Sequence, residues 1–304
     1  MESRVRLIFV AAAAVLCLGA LGSDPASGQA VLSQPATGGG SVAAVADCPV
    51  ETFPSVSRDP ANSRWPAPLL EITCTADQVV VTGNGIPGYA FKRTTPSDLR
   101  EQSYEWRFPR QPELADDSTS IPLLGAVAIA VNGLPIYGPN EGEFPDPYGD
   151  PVYVGILDDC LGHTARRGDY HYHALLLACL TSGVAPEAAS PVIGWSFDGF
   201  AIYGPRGCAD GACTEVVEYV SGWQRSGDPT TYAWDKHDYV ESADLNVLDQ
   251  CNGHTGPQGD YHYHATSGFP YVLGCYSGYV DPSALGPSRG PDRGRRRGPR
   301  TIRE

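Results

Sequence analysis

GAVAIAVNGLPIYG occupies residues 125–138 and IGWSFDGFAIYG residues 193–204. In each, two arms of branched and aromatic residues flank a turn step, Asn132-Gly133 or Asp198-Gly199. Asn-Gly and Asp-Gly tolerate the positive φ angles of a tight type I′ turn, so both stretches predict β-hairpins. LLEITCTADQVVVTGNGIPG (69–88) adds a further strand pair. Helical periodicity is poor throughout, and 27 prolines interrupt what remains of it. The predicted fold class is mainly β, an antiparallel sandwich or barrel-like domain.

The two hairpin stretches also resemble each other. VNGLPIYGP (131–139) matches FDGFAIYGP (197–205), 66 residues on, and LDDCLGHTARRGDYHYHA (157–174) matches LDQCNGHTGPQGDYHYHA (248–265), 91 residues on. The pattern reads as an internal duplication, with units at about 121–182 and 191–281. Two such units are expected to pack about a pseudo-two-fold axis, as symmetric dimers do.

Six of the seven histidines lie in the second pair of matching blocks: His163, His171 and His173, then His254, His262 and His264. On an extended strand, residues two apart share a face. His171 and His173 therefore project together, with Tyr170 and Tyr172 opposite; His262 and His264 do the same, with Tyr261 and Tyr263 opposite. The His of the Gly-His step, eight residues before each pair, brings a third imidazole if the intervening loop folds back. Three converging imidazoles suit Zn²⁺ or Cu²⁺, with a place left for water. Asp158, Asp169, Asp249 and Asp260 stand where they can orient ring N–H groups or complete a site. A competing reading makes YHYH a buried seam in which tyrosine hydroxyls and imidazoles satisfy one another. A third lets both strips face each other and share one centre. His237 reads as a surface or loop histidine, and the acidic run with Glu141, Glu143, Asp146 and Asp150 as a solvated loop without EF-hand spacing.

The N-terminus carries Arg4 and Arg6, an apolar run at 7–21, and the small residues Gly28 and Ala30. This is the pattern of a secretory signal peptide (1–30), too short to span a bilayer. A Gly/Ala/Ser-rich linker (31–47) follows. Beyond the leader there are eight cysteines, an even number that suits four disulfides in an oxidising compartment. Of the 105 pairings, the most local is Cys48–Cys74, Cys160–Cys179, Cys208–Cys213 and Cys251–Cys275. The expected location is secreted, periplasmic or at the cell surface. The body (48–281) and linker together hold 31 acidic against 12 basic residues, which argues against nucleic acid as the main partner. The Pro/Gly/Arg-rich tail (282–304) reads as disordered and able to touch anionic surfaces. No later segment is apolar enough to span a membrane.

NGLPIYGP, DGFAIYGP, DDCLGH, DQCNGH, both YHYH strips and PYVLGCYSG (270–278) together resemble the YHYH domain family, a group of mostly bacterial, often exported proteins. The resemblance covers about 69–281. It implies a module built around the two strips and no particular activity. It also implies an imidazole after the early NGIP segment, where this chain has Gly88-Tyr89. The function expected from the sequence is transition-metal binding in an exported protein. The alternatives are a metal-dependent hydrolase, in which the ion activates a water, and a non-catalytic envelope or cell-surface module.

Overall fold

The computed structural model describes residues 48–285 except 176, 181–183 and 186. The predicted leader and linker, and all but the first four residues of the basic tail, lie outside the described residues. Strands begin with β1 (Leu70–Cys74) and β2 (Gln78–Gly83), an antiparallel hairpin to which β3 (Tyr104–Pro109) adds in antiparallel register. Then β4 (Leu114–Ser120) pairs with the last strand of the chain. The two hairpins that opened the sequence reading follow. The first is β5 (Ala126–Ala130) and β6 (Pro135–Tyr137); β7 (Gly162–Thr164) and β8 (Tyr170–Tyr172) come next, and β9 (Val192–Ser196) with β10 (Ala201–Tyr203) is the second. Two small ribbons are formed by β11 (Arg206–Cys208) with β12 (Val216–Glu218), and by β13 (Trp223–Arg225) with β14 (His237–Tyr239). The chain closes with β15 (Gly253–Thr255), β16 (Tyr261–His264) and β17 (Cys275–Gly278).

Eight of these strands form the central sheet, in the order β15-β16-β10-β9-β5-β6-β8-β7. β5 and β9 meet antiparallel at its middle. Outward from that seam, each side shows the same pairing. The hairpin partner comes first (β6 or β10), then a YHYH strand parallel to it (β8 or β16), then a Gly-His-Thr strand antiparallel to that. The expected all-antiparallel arrangement is thus corrected to a mixed sheet. A parallel pair needs a long crossover between its strands, and the segments that separate β6 from β8 and β10 from β16 provide it. No barrel closes, because β15 and β7 remain edges.

Every residue of β5 is buried, so AVAIA is an unbroken apolar run rather than an alternating one, as expected for a strand covered on both faces. One cover comes from β3, where Trp106 and Phe108 stack on Phe197 and Trp195 with ring centroids 5.5 and 5.6 Å apart. The two hairpin turns differ from the predicted type I′. Gly133 N–H donates to Ala130 O and Ala130 N–H to Leu134 O, enclosing three loop residues, of which only Gly133 (φ +82) is left-handed. Ser196, Gly199 (φ +91) and Phe200 repeat this geometry, so the Gly supplies a bulge and the Asn or Asp keeps an ordinary negative φ. Glycine is also required at 199 by close approach, since a Cβ there would lie 2.7 Å from the Pro109 carbonyl oxygen.

The disulfides are Cys48–Cys74, Cys160–Cys179, Cys208–Cys213 and Cys251–Cys275. The second and fourth each anchor the loop just before a Gly-His-Thr strand. Closing loops of 19 and 24 residues, each contributes on the order of 3 kcal/mol in the chain-entropy account.

Candidate metal centre

The hairpin β7–β8 sets His163 directly opposite His171, and β15–β16 sets His254 opposite His262. Opposed residues on a strand pair have neighbouring side chains. His173 and His264, two residues further on, share those faces. The turn ahead of each hairpin is tied from behind. Asp158 accepts from the Cys160 and Gly162 N–H groups (2.9 and 3.1 Å) and from the Tyr170 hydroxyl (2.8 Å). Asp249 accepts from Cys251, Gly253 and Tyr261 at 2.8, 3.0 and 2.7 Å. These two aspartates shape the turn; their hydrogen bonds run to backbone and tyrosine, not to an imidazole. Between them the chain passes through left-handed Leu161 (φ 65) or Asn252 (φ 69), whose carbonyl receives the backbone N–H of His173 or His264.

The rings of the first triad are oriented by carbonyls. His171 Nδ1 lies 3.2 Å from Asp169 O, and His173 Nδ1 lies 2.6 Å from Gly138 O. A carbonyl only accepts, so each ring donates from Nδ1 and turns Nε2 toward the other donors. Those two Nε2 atoms are 3.1 Å apart. Glu141 Oε1 stands 2.7 Å from His173 Nε2 and 2.8 Å from His163 Nε2. These are ion-pair separations whenever the imidazoles are protonated. Burial, then the neighbouring imidazoles His173 and His163, push His171 well below the usual histidine range. Burial by itself would raise the Glu141 carboxyl, but His163 and His173 more than reverse this and hold it well below the usual carboxylate range. Glu141, His163, His171 and His173 thus bring four donor atoms within 4.8 Å of one another.

The second triad repeats the design with three donors. His262 Nδ1 lies 3.3 Å from Asp260 O, and His264 Nδ1 lies 2.6 Å from Gly204 O. The Asp260 carboxylate also lies 3.3 Å from His262 Nδ1. His254 Nε2 is 3.1 and 3.2 Å from the Nε2 atoms of His262 and His264. Burial, reinforced by nearby imidazoles, pushes His254 down to about 4 and His264 to about 3. Aromatic rings outside the strips brace both sets. Tyr137 stacks on His171 at 3.9 Å and donates to Asp169; Tyr219 lies 4.2 Å from His254 and 4.4 Å from His264.

The strip tyrosines face the other side of the sheet. Tyr170 and Tyr261 bond to the turn aspartates, while Tyr172 pairs with Tyr89 (2.8 Å) and accepts from Asn132 (2.9 Å). Tyr263 donates to Asp198 and accepts from the Ser277 N–H. Among the described residues no tyrosine hydroxyl bonds to an imidazole of the strips. A polar seam does exist, but it joins tyrosine to aspartate. The single shared centre is also corrected: four strands separate β8 from β16, which places the strips about 24 Å apart at ordinary strand spacing.

Two further expectations change. His237 is buried, stacked on Phe269 at 4.0 Å with Nδ1 2.9 Å from Ala233 O, because an aromatic face offers its ring an apolar partner. The acidic run is not one solvated loop. Glu143 stays exposed. Asp146 is buried and receives the Glu141 and Tyr148 N–H groups, while Asp150 receives Val152, Tyr153 and the Tyr271 hydroxyl. Glu141 leaves that run for the first triad. Its signal in the sequence is its position three residues after Gly138, in the motif that pairs with a YHYH strand. Glu141, His163, His171 and His173 themselves line a cavity of about 680 Å³, with Arg166, Arg167 and Tyr148 also in its wall.

Comparison with known proteins agrees with the motif content. A family model described as YHYH protein matches residues 105–278, a span holding both triads but not the Gly88-Tyr89 step. No curated protein and no solved structure matches the chain.

Proposed function

The chain belongs to the YHYH protein family, and on that footing we propose that it is an exported protein that binds two transition-metal ions, zinc or copper. One ion is held by Glu141, His163, His171 and His173, the other by His254, His262 and His264. The observation that carries this reading is the convergence of Glu141, His163, His171 and His173, and of His254, His262 and His264, each set with its donor atoms within 4.8 Å of one another. With Nδ1 of His171, His173, His262 and His264 on carbonyls, their Nε2 atoms are the ones turned to the shared point. A cation at each shared point would take up the converging atoms. Imidazole nitrogen suits Zn²⁺ and Cu²⁺ alike, and carboxylate oxygen completes a Zn²⁺ shell. The carbonyls of Gly138, Asp169, Gly204 and Asp260 then serve as the outer partners that fix tautomer and ring direction.

The four disulfides support export to an oxidising compartment. Among the described residues no helix is long and apolar enough to cross a membrane. The matched motifs and the repeated pairing on either side of the β5–β9 seam support two copies of one unit about a pseudo-two-fold axis. The test is metal content per chain, by mass spectrometry of full-length protein purified without tag or chelator. Two equivalents are expected, one lost in His171→Ala/His173→Ala and the other in His262→Ala/His264→Ala. No bound metal after dialysis against Zn²⁺ and Cu²⁺ would overturn the proposal.

A further inference from the structure

The two triads differ at one decisive position. GPNEG (138–142) and GPRGC (204–208) are matching stretches of the repeated motif. In the first, Gly138 O receives His173 and Glu141 follows three residues later; in the second, Gly204 O receives His264 and Gly207 follows three residues later. The fold keeps the correspondence, since a Cβ built on Gly207 would lie 3.1 Å from His264 Cε1. The same Cβ would lie 2.7 Å from Tyr219 Cε2. The ring of Tyr219 therefore stands where a side chain at 207 would go. Its hydroxyl is turned away, donating to Cys208 O at 3.2 Å, and a ring face gives a metal no lone pair. Asp260 does not replace the missing carboxylate. It touches Nδ1 of His262, the side away from the converging Nε2 atoms, and is 59% exposed.

Among the described residues the second triad thus supplies three nitrogen donors and no fourth, and His254 and His262 are only partly buried. A divalent ion on three neutral imidazoles keeps its full charge, whereas Glu141 neutralises half of it at the first triad. Closed four-donor shells and three-donor shells with an open place are the two established kinds of zinc site. Resting on the metal reading above, we infer that the second triad binds a small anionic donor, such as hydroxide or a carboxylate, in the open place of its ion. Glu141 closes the first triad to such ligands.

Azide titration of the full-length, Cu²⁺-loaded protein tests this, read by the azide-to-copper charge-transfer absorption. One azide per chain is expected. The band persists in His171→Ala/His173→Ala and vanishes in His262→Ala/His264→Ala. Glu141→Gly opens the first triad and raises the stoichiometry to two. Copper uptake with no band, a band that follows the first pair of histidines, or unchanged stoichiometry in Glu141→Gly would each overturn this inference alone. Failure of every form to take up copper would overturn the metal reading and this one with it.

Discussion

The two ends of the central sheet carry the same histidine spacing but not the same environment. At the β7–β8 end, His163, His171 and His173 are each about 2% exposed or less, and Glu141 joins them. At the β15–β16 end only His264 is so buried, a glycine stands in the glutamate's place and Tyr219 covers the rings. A motif of seven identical residues therefore does not specify one site. Strand pairing aims the imidazoles, while the loop that follows the parallel neighbour strand decides how many donors they have and how wet the point between them is.

The sharpest way to break this contrast is to challenge the proposed metal with a chelator. An ion that binds only the folded chain stabilises it by about 4 kcal/mol at a free concentration a thousand times Kd. Chelation is expected to lower the unfolding temperature strongly in wild type, less in either histidine double mutant, and not at all when both pairs are removed. Scanning calorimetry with and without chelator reads this. If both double mutants keep the full chelator effect, the imidazoles are not the ligands.

Acid titration of the chelated protein probes the more open end next. His254 and His264 have folded pKa values of about 4 and about 3, below their unfolded value. As pH falls beneath about 6.5 the unfolded chain takes up protons first, so stability is full above that pH and is lost on the way down through the folded values. Denaturant midpoints between pH 8 and 3 measure it, and the decline is expected to be shallower in His254→Ala/His264→Ala. An unchanged decline in that variant would assign it to other groups.

Tyrosine deletion compares what lies behind the two strips. Tyr170→Phe leaves buried Asp158 without its side-chain donor and is expected to cost about 1–3 kcal/mol. Tyr261→Phe is expected to cost less, because Asp249 is only partly buried and reaches water. Equal losses in chemical denaturation would contradict the difference in burial.

The smallest effect comes from the left-handed residue in each Cys-x-Gly-His turn. Leu161→Asn should raise stability by about 1 kcal/mol, because the short polar side chain of Asn hydrogen-bonds locally and tolerates that left-handed conformation better than Leu. Asn252→Leu should lower it by more, since Asn252 also donates to the carbonyls of His264 and Val272. A destabilised Leu161→Asn would mean that the leucine's packing outweighs its strain.

Much of this architecture was legible in the linear chain because it depends on neighbours. The β-hairpins follow from branched residues around Asn132-Gly133 and Asp198-Gly199. The shared face of His171 and His173 follows from the two-residue period of a strand. The fold-back of His163 and His254 follows from the glycine in each loop, and even the disulfides join cysteines near one another in sequence. The turn type was misread because two-residue and three-residue loops draw on the same Asn-Gly and Asp-Gly steps. Glu141 was hidden among four acids, of which two cap a loop and one faces water.

By itself, then, the sequence determined the hairpin arms, where the chain turns between them and which imidazoles share a face, since these are settled by torsional preference and side-chain alternation within a few residues. Only the tertiary structure decided that β6 and β10 lie parallel to the YHYH strands and carry Gly138 O and Gly204 O onto their rings. It also decided that Glu141 completes one triad while Tyr219 covers the other. Those contacts join residues up to tens of positions apart, and no local preference encodes them: they exist because burying AVAIA at the middle of the sheet fixes where everything outward from it must lie.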